Sequence, residues 1–327
     1  MQYRTLGNTD IQVSVIAMGC WAFAGGELWG EQDDRDSLEA VSAALDAGIN
    51  FFDTAEGYGK GYSEEILGKA LKGIRDKAVI ATKVSPSNLT KEGIIEACER
   101  SLLRLQTDYI DLYQIHWPNR SIPISESMEA LLKLQQDGKI RAIGVSNFGP
   151  QDLAEALSVG PIASNQLSYN LLWRAVEFEV QPQCVDHQVG ILCYSPLMQG
   201  LLSGKYSTID KVPPQRMRTK HFSKERPAAR HREPGFEQET FQAIREIEQI
   251  AEEINEPMSK VALAWLIQRQ GVASVIAGIR NEEHAKMNAE ASELQLSDEI
   301  MQKLDQATSE LKHKLGPDLD FLDYRIR

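Results

Sequence analysis

Apolar residues in this chain gather into short, nearly continuous runs, and almost every run gives way to a stretch with helical spacing. The runs are Val15–Met18, Asn50–Ala55, Ala78–Val84, Tyr109–His116, Ile140–Asn147, Ala163–Tyr169, Gly190–Pro196 and Val272–Ile279. Continuous rather than alternating hydrophobicity is the mark of strands covered by helices on a parallel sheet. Helices are expected from Asp33-Asp34, with Leu38, Val41, Ala44 and Leu45 on one face and Gly48 as the stop, and over Ser63–Leu71, Thr90–Leu105 and Ser125–Asp137. A short helix follows Pro150, and others cover Phe178–His187, Glu237–Asn255, Met258–Gln268, Glu282–Ala291 and Ser297–Leu311. Thr90 reads as a helix cap, and Ser63 with Glu64 and Glu65 suits the positive end of a helix. Gly138 closes the helix over Ser125–Asp137.

Eight strands alternating with helices leave two architectures, a doubly wound sheet or a (β/α)₈ barrel. No G-x-G-x-x-G follows the first strand and no linker divides the chain, which favours the α/β class with a TIM barrel over residues 1–327 as one domain. Tyr3–Leu6 and Ile11–Ser14 flank the polar Gly7-Asn8-Thr9-Asp10, an N-terminal β-hairpin placed to plug the bottom of such a barrel. The last helices are extras beyond the barrel.

Composition narrows the partners. The 327 residues are 42% hydrophobic and 25% charged, with a net charge of −12. An acidic surface repels nucleic acid and anionic membranes, so neither is an expected partner. No apolar run approaches the roughly 18 residues of a membrane helix. No basic-then-apolar leader opens the chain, so a cytoplasmic location is expected. Cys20, Cys98, Cys184 and Cys193 are scattered without metal-ligand spacing and read as reduced core thiols, with no metal expected. The pattern sets no oligomeric state.

Polar residues end the apolar runs: Asp53, Lys83, His116, Ser146-Asn147, Gln166, Tyr194-Ser195 and Gly278-Ile279-Arg280. In a barrel these ends share one rim, where the βα loops build active sites. Lys83, closing an apolar strand, needs a carboxylate, and Asp53 one strand away is its candidate. A lysine cation beside Tyr58 favours the phenolate and makes the phenol a better proton donor. His116 has a hydrogen bond to offer a carbonyl oxygen. The set suits protonation of an oxygen that gains negative charge, as in carbonyl reduction by hydride, and the hydride requires a cofactor. Trp21, Trp29, Trp117 and Trp173 fall in or beside rim loops and are read as an apolar substrate pocket. The basic stretch Arg216–Arg232 reads either as a solvated loop or as a mobile lid over cofactor phosphates that draws on Lys220, Arg226 and Arg230.

The segments NFFDTAEGYG, ATKV, DYIDLYQIHWP, GKIRAIGVSNF, NQLSYNLL, YSPLMQGLLSGKY and VIAGIRNEEHAKMN, in this order, resemble the aldo-keto reductases. The likeness is greatest to the branch that holds bacterial reductases and potassium channel β subunits. The resemblance implies a barrel that binds NADP(H) along its rim and acts on small carbonyls or alcohols. It implies a tetrad of Asp53, Tyr58, Lys83 and His116. It places Ser146, Asn147 and Gln166 on the nicotinamide carboxamide and Tyr194 against the nicotinamide ring. Ser195, Leu197, Gly200 and Leu201 follow along the pyrophosphate, and Gly278, Arg280, His284 and Asn288 meet the adenosine end. Many members have lysine where Gly278 stands and arginine where His284 stands, so Arg280 is the remaining cation for a 2′-phosphate. The channel β subunits offer a second reading, a protein that binds the cofactor to regulate a partner.

Overall fold

The computed structural model describes residues 1–26 and 30–320. Two short antiparallel strands come first, β1 (Tyr3–Thr5) and β2 (Gln12–Ser14). Eight parallel strands then close into a barrel: β3 (Ile16–Gly19), β4 (Phe51–Asp53), β5 (Val79–Val84), β6 (Ile110–Ile115), β7 (Ile140–Ser146), β8 (Ser164–Ser168), β9 (Gly190–Tyr194) and β10 (Val272–Gly278). Each strand pairs with its successor, and β10 returns to β3.

Helices cover the outside: α1 (Asp34–Asp46), α2 (Tyr62–Ala70), α3 (Lys91–Leu105), α4 (Ile124–Gln136), α5 (Pro150–Val159), α6 (Val180–Asp186), α7 (Glu237–Glu253), α8 (Met258–Ile267) and α9 (Glu282–Ala291). The final expected helix is divided at Thr308 into α10 (Asp298–Ala307) and α11 (Ser309–Leu315). Asp33 caps α1 through Arg35 N–H, and Thr90 caps α3 through Gly93 N–H. None of these helices is long and apolar enough to cross a membrane.

Glu64 and Glu65 stand in the first turn as expected, but Ser63 makes no cap hydrogen bond and Glu64 is engaged elsewhere. The helix begins at Tyr62, and the Ser63 hydroxyl donates to Cys20 O at 2.8 Å while accepting from Thr54 at 2.8 Å. Glu64 is fully buried and held by Arg104 at 2.6 Å and Thr82 at 2.5 Å. These partners lie on other elements, so helix-end chemistry alone does not reveal them.

The hairpin plugs the barrel. Its Leu6, Ile11 and Val13 cluster with Ala17, Phe51, Ala81, Leu112, Ala142, Ala163 and Leu192, one residue from each of seven strands or strand starts. A bottom sealed by apolar side chains leaves the other end of the lumen for polar ones. The four cysteines are free and buried.

Candidate active site

Strand pleat decides what enters the upper lumen. Alternation puts Asp53 above Phe51, Lys83 above Ala81, and Gln114 above Leu112. Gly144 of β7 leaves space there, because a Cβ on it would stand 2.8 Å from Gln114 Cγ and 2.7 Å from Ser164 Oγ. The result is a buried polar layer over an apolar floor.

Lys83 is fully buried and its Nζ bonds Asp53 Oδ1 at 2.6 Å and Thr54 O at 2.8 Å. The other carboxylate oxygen, Asp53 Oδ2, accepts from Gln166 Nε2 at 2.7 Å and from Gln114 Nε2 at 3.5 Å. Burial lowers the Lys83 ammonium, but Asp53 and Tyr58 more than offset it, so it stays above its ordinary pKa and charged.

Tyr58 reaches the site on a turn that demands glycine. Gly59, Lys60 and Gly61 are consecutively left-handed, at φ 60°, 57° and 96°. A side chain on Gly61 would also meet Arg104 Cδ at 2.5 Å. This turn brings the Tyr58 hydroxyl to 3.5 Å from Lys83 Nζ, which lies 5.0 Å from the ring centroid. His116 packs edge-on against the ring at 5.6 Å and Trp21 stacks on it at 5.7 Å. The four expected residues therefore converge.

One ionisation differs in weight from the sequence reading, and a second is settled by burial. Burial raises the Tyr58 phenol above its usual range, and the Lys83 cation offsets this only in part. The resting phenol therefore holds its proton more firmly than in water, contrary to the expected net activation. Burial, then the Lys83 charge, pushes His116 down to about 3, so this imidazole is neutral at physiological pH.

The residues expected at the nicotinamide form one bonded group. Asn147, at φ 61°, donates from Nδ2 to His116 O at 3.1 Å and to Ser146 Oγ at 3.0 Å. Ser146 donates to Gln166 O at 3.0 Å, and Tyr194 OH donates to Asn147 Oδ1 at 2.9 Å. Beyond β9, the turn carrying Ser195, Leu197, Gly200 and Leu201 continues along the rim. The Leu201 side chain is in the core, so only its backbone faces outward.

At the other end Gly278 closes β10 with open space around it, and Asn288 donates to Gly278 O at 3.3 Å. Arg280 donates to Gln32 Oε1 at 2.6 Å and to Glu31 O at 2.8 Å, tying the segment before α1 to the one after β10. Burial, then the Lys205 charge, lowers the His284 imidazole, so Lys205 joins Arg280 as a second cation at this end. Sequence reading missed Lys205, although it stands within the quoted SGKY motif. It also missed Gln114, which lies two residues before His116 and so on the same face of β6.

One tryptophan leaves the expected pocket. Trp173 is fully buried, turned inward by the Asn170–Trp173 bridge, and belongs to the core. Trp29 lies outside the described residues. In the basic stretch, Lys220 is paired with Asp318 and Arg226 with Glu237, and His221 is fully buried against Leu172 O. Much of it is therefore an anchored segment rather than a solvated loop, and two of the three cations assigned to a lid are already neutralised.

The sequence model of the aldo/keto reductase family matches residues 15–309, the whole barrel. An aldo-keto reductase of Bacillus subtilis is 37% identical over 86% of this chain and 85% of its own. A probable voltage-gated potassium channel subunit beta of rice (Oryza sativa subsp. japonica) is 30% identical over 93% of this chain and 96% of its own. The solved aldo/keto reductase of Klebsiella pneumoniae in complex with NADP and acetate superposes with a TM-score of 0.75 at 30% identity, covering 99% of both chains. NADP(H) fits the rim found here, where a tyrosine ring, three amide or hydroxyl side chains and two cations follow one another from Gln166 to Arg280. On this agreement of fold, rim and sequence, the protein is an NAD(P)H-dependent oxidoreductase and belongs to the aldo/keto reductase family.

Proposed function

We propose that the protein reduces small aldehydes or ketones with NADPH, reversibly, and that Tyr58 gives the proton. The observation that carries this reading is the Tyr58 hydroxyl 3.5 Å from a buried, charged Lys83 that is itself oriented by Asp53. Bound NADP(H) supplies the hydride. The phenol keeps its proton while the site rests, because burial holds it there. It releases the proton only as the substrate oxygen gains negative charge, and Lys83 then stabilises the phenolate left behind. Neutral His116 donates a hydrogen bond that orients the same oxygen.

Ser146, Asn147 and Gln166 would hold the carboxamide. With its nitrogen given to Asp53, Gln166 has its oxygen to offer the carboxamide amine. Tyr194 would face the nicotinamide ring, and Ser195, Leu197, Gly200 and Leu201 would follow the pyrophosphate. Gly278, Arg280, His284 and Asn288 would receive the adenosine end, with Arg280 and Lys205 as the cations for a 2′-phosphate. Trp21 beside Tyr58 gives the substrate an apolar wall.

The test is loss of NADPH absorbance with a panel of small aldehydes and ketones, and gain of it with the matching alcohols and NADP⁺. Turnover of at least one pair is expected; none in either direction would sink the reading. The likeness to the rice channel subunit favours a second reading, in which cofactor binding regulates a partner. Tight NADPH binding with turnover too slow to exceed cofactor release, and co-purification with a membrane protein, would select it.

A further inference from the structure

The turn after β9 holds a conformation its sequence does not favour. Ser195, Met198 and Gln199 have φ of 52°, 43° and 54°, and Gly200 follows at 98°. Three non-glycine residues in the left-handed region within five positions persist only where the surroundings over-determine them. One side chain does much of this from another loop. Asn170, fully buried after β8, donates from Nδ2 to Ser195 O at 3.1 Å and reaches Met198 Sδ at 3.4 Å. Its Oδ1 accepts from the N–H groups of Leu172 and Trp173, both at 2.9 Å. Its backbone pairs with Trp173 in both directions, at 3.1 and 3.0 Å.

Asn170 is itself firmly mounted. The preceding Tyr169 donates its hydroxyl to Glu177 at 2.8 Å and accepts from Arg269 Nε at 3.1 Å. On the far side of the turn, Arg216 donates to Gln199 O at 2.9 Å. A residue that only shaped its own loop would need the oxygen alone. The nitrogen reaches across to a carbonyl 25 residues away.

We propose that Asn170 is a positioning residue for the dinucleotide: it locks Ser195 in its left-handed state before the cofactor arrives and so sets the track along Ser195, Leu197, Gly200 and Leu201. The inference rests on the reading of that track as the pyrophosphate path. Asn170 acts through the backbone of Ser195, not by touching cofactor or substrate.

Asn170→Asp separates the two jobs. The shape and the acceptor oxygen remain, while the donor is replaced by an oxygen facing the Ser195 carbonyl. NADP⁺ affinity is read by tryptophan fluorescence, on variant and wild type at each pH. Binding by the variant is expected to be about tenfold weaker at about pH 8, the loss of one buried hydrogen bond. It is expected to return to within about twofold of wild type near pH ~5.5, where a protonated carboxyl donates to the carbonyl again. No loss at the higher pH, or a loss that acid does not repair, overturns the proposal. If wild type binds no NADP⁺, the dinucleotide reading falls and the proposal with it; if wild type binds and the variant matches it, the proposal alone falls. Should the variant not fold, amide exchange on the unliganded wild type decides. The N–H groups of Met198, Gly200 and Leu202, bonded at 2.9, 2.9 and 3.2 Å, are expected to exchange slowly before NADP⁺ is added. Fast exchange that slows only on adding NADP⁺ overturns it.

Discussion

The Tyr58 proton is held by burial and drawn toward release by Lys83, and in the resting site burial prevails. That balance could not be weighed from the order of residues, because it depends on how much of the ring other loops cover. His116 is the plainer case. Its imidazole, lowered to about 3, has no proton to gain across the physiological range. The profile of kcat/KM between pH ~5 and ~8 should therefore carry no inflection from His116. His116→Gln, which keeps an N–H donor, should lower kcat/KM by about tenfold to a hundredfold and leave the shape of the profile unchanged. An inflection near pH ~6.5 that disappears in the variant would show that His116 titrates.

Among the elements, β7 shows how an absence of side chain shapes a site. Gly144→Ala sets a methyl against Gln114, Ser164 and Leu112, at 2.8, 2.7 and 3.0 Å. Overpacking of this kind should lower stability by about 1–3 kcal/mol in urea unfolding. Activity should fall as well, since Gln114 bonds Asp53. Unchanged stability and turnover would mean that the polar layer has slack. Outside the barrel, Glu177 binds Arg174, Lys312 and Arg269 and accepts from Tyr169, joining the turn after α8 and helix α11 to the loop that carries Asn170. Burial opposes its charge, yet these partners hold its pKa down at about 2. Glu177→Gln leaves buried cations short of a counterion and should destabilise by about 3–5 kcal/mol, measured by chemical unfolding. Periodicity revealed these strands and helices well. It did not reveal the distant partners of Glu64, Glu177 or Lys220, such as Thr82, Lys312 and Asp318, which lie 18, 135 and 98 residues away in the chain.

For the whole molecule, the order of strands and the rim they build were legible because seven of the eight apolar runs lead into polar residues. Rim position alone did not distinguish Trp21, stacked on Tyr58, from Trp173, buried in the core, since both follow strand ends. The fold also fixes an acid response. His221, lowered by burial to about 4, and His116, at about 3, lie below their unfolded value near 6.5. The unfolded chain thus binds these two protons first, and stability falls as pH drops below ~6.5, by up to about 1.4 kcal/mol per pH unit for each. Glu177 adds a further loss from about pH 4.5 toward 2, by the same sign. Urea midpoints at pH ~7 and ~5 should differ accordingly, and equal midpoints would contradict the burial of both imidazoles.

All of the proposed chemistry passes through one phenolic oxygen, so removing that oxygen is the most direct measurement. Tyr58→Phe should bind NADP⁺ within about threefold of wild type and lose at least about a thousandfold in kcat on a small aldehyde that the wild type turns over. Turnover within about tenfold of wild type, with binding intact, would show that the proton comes from another group.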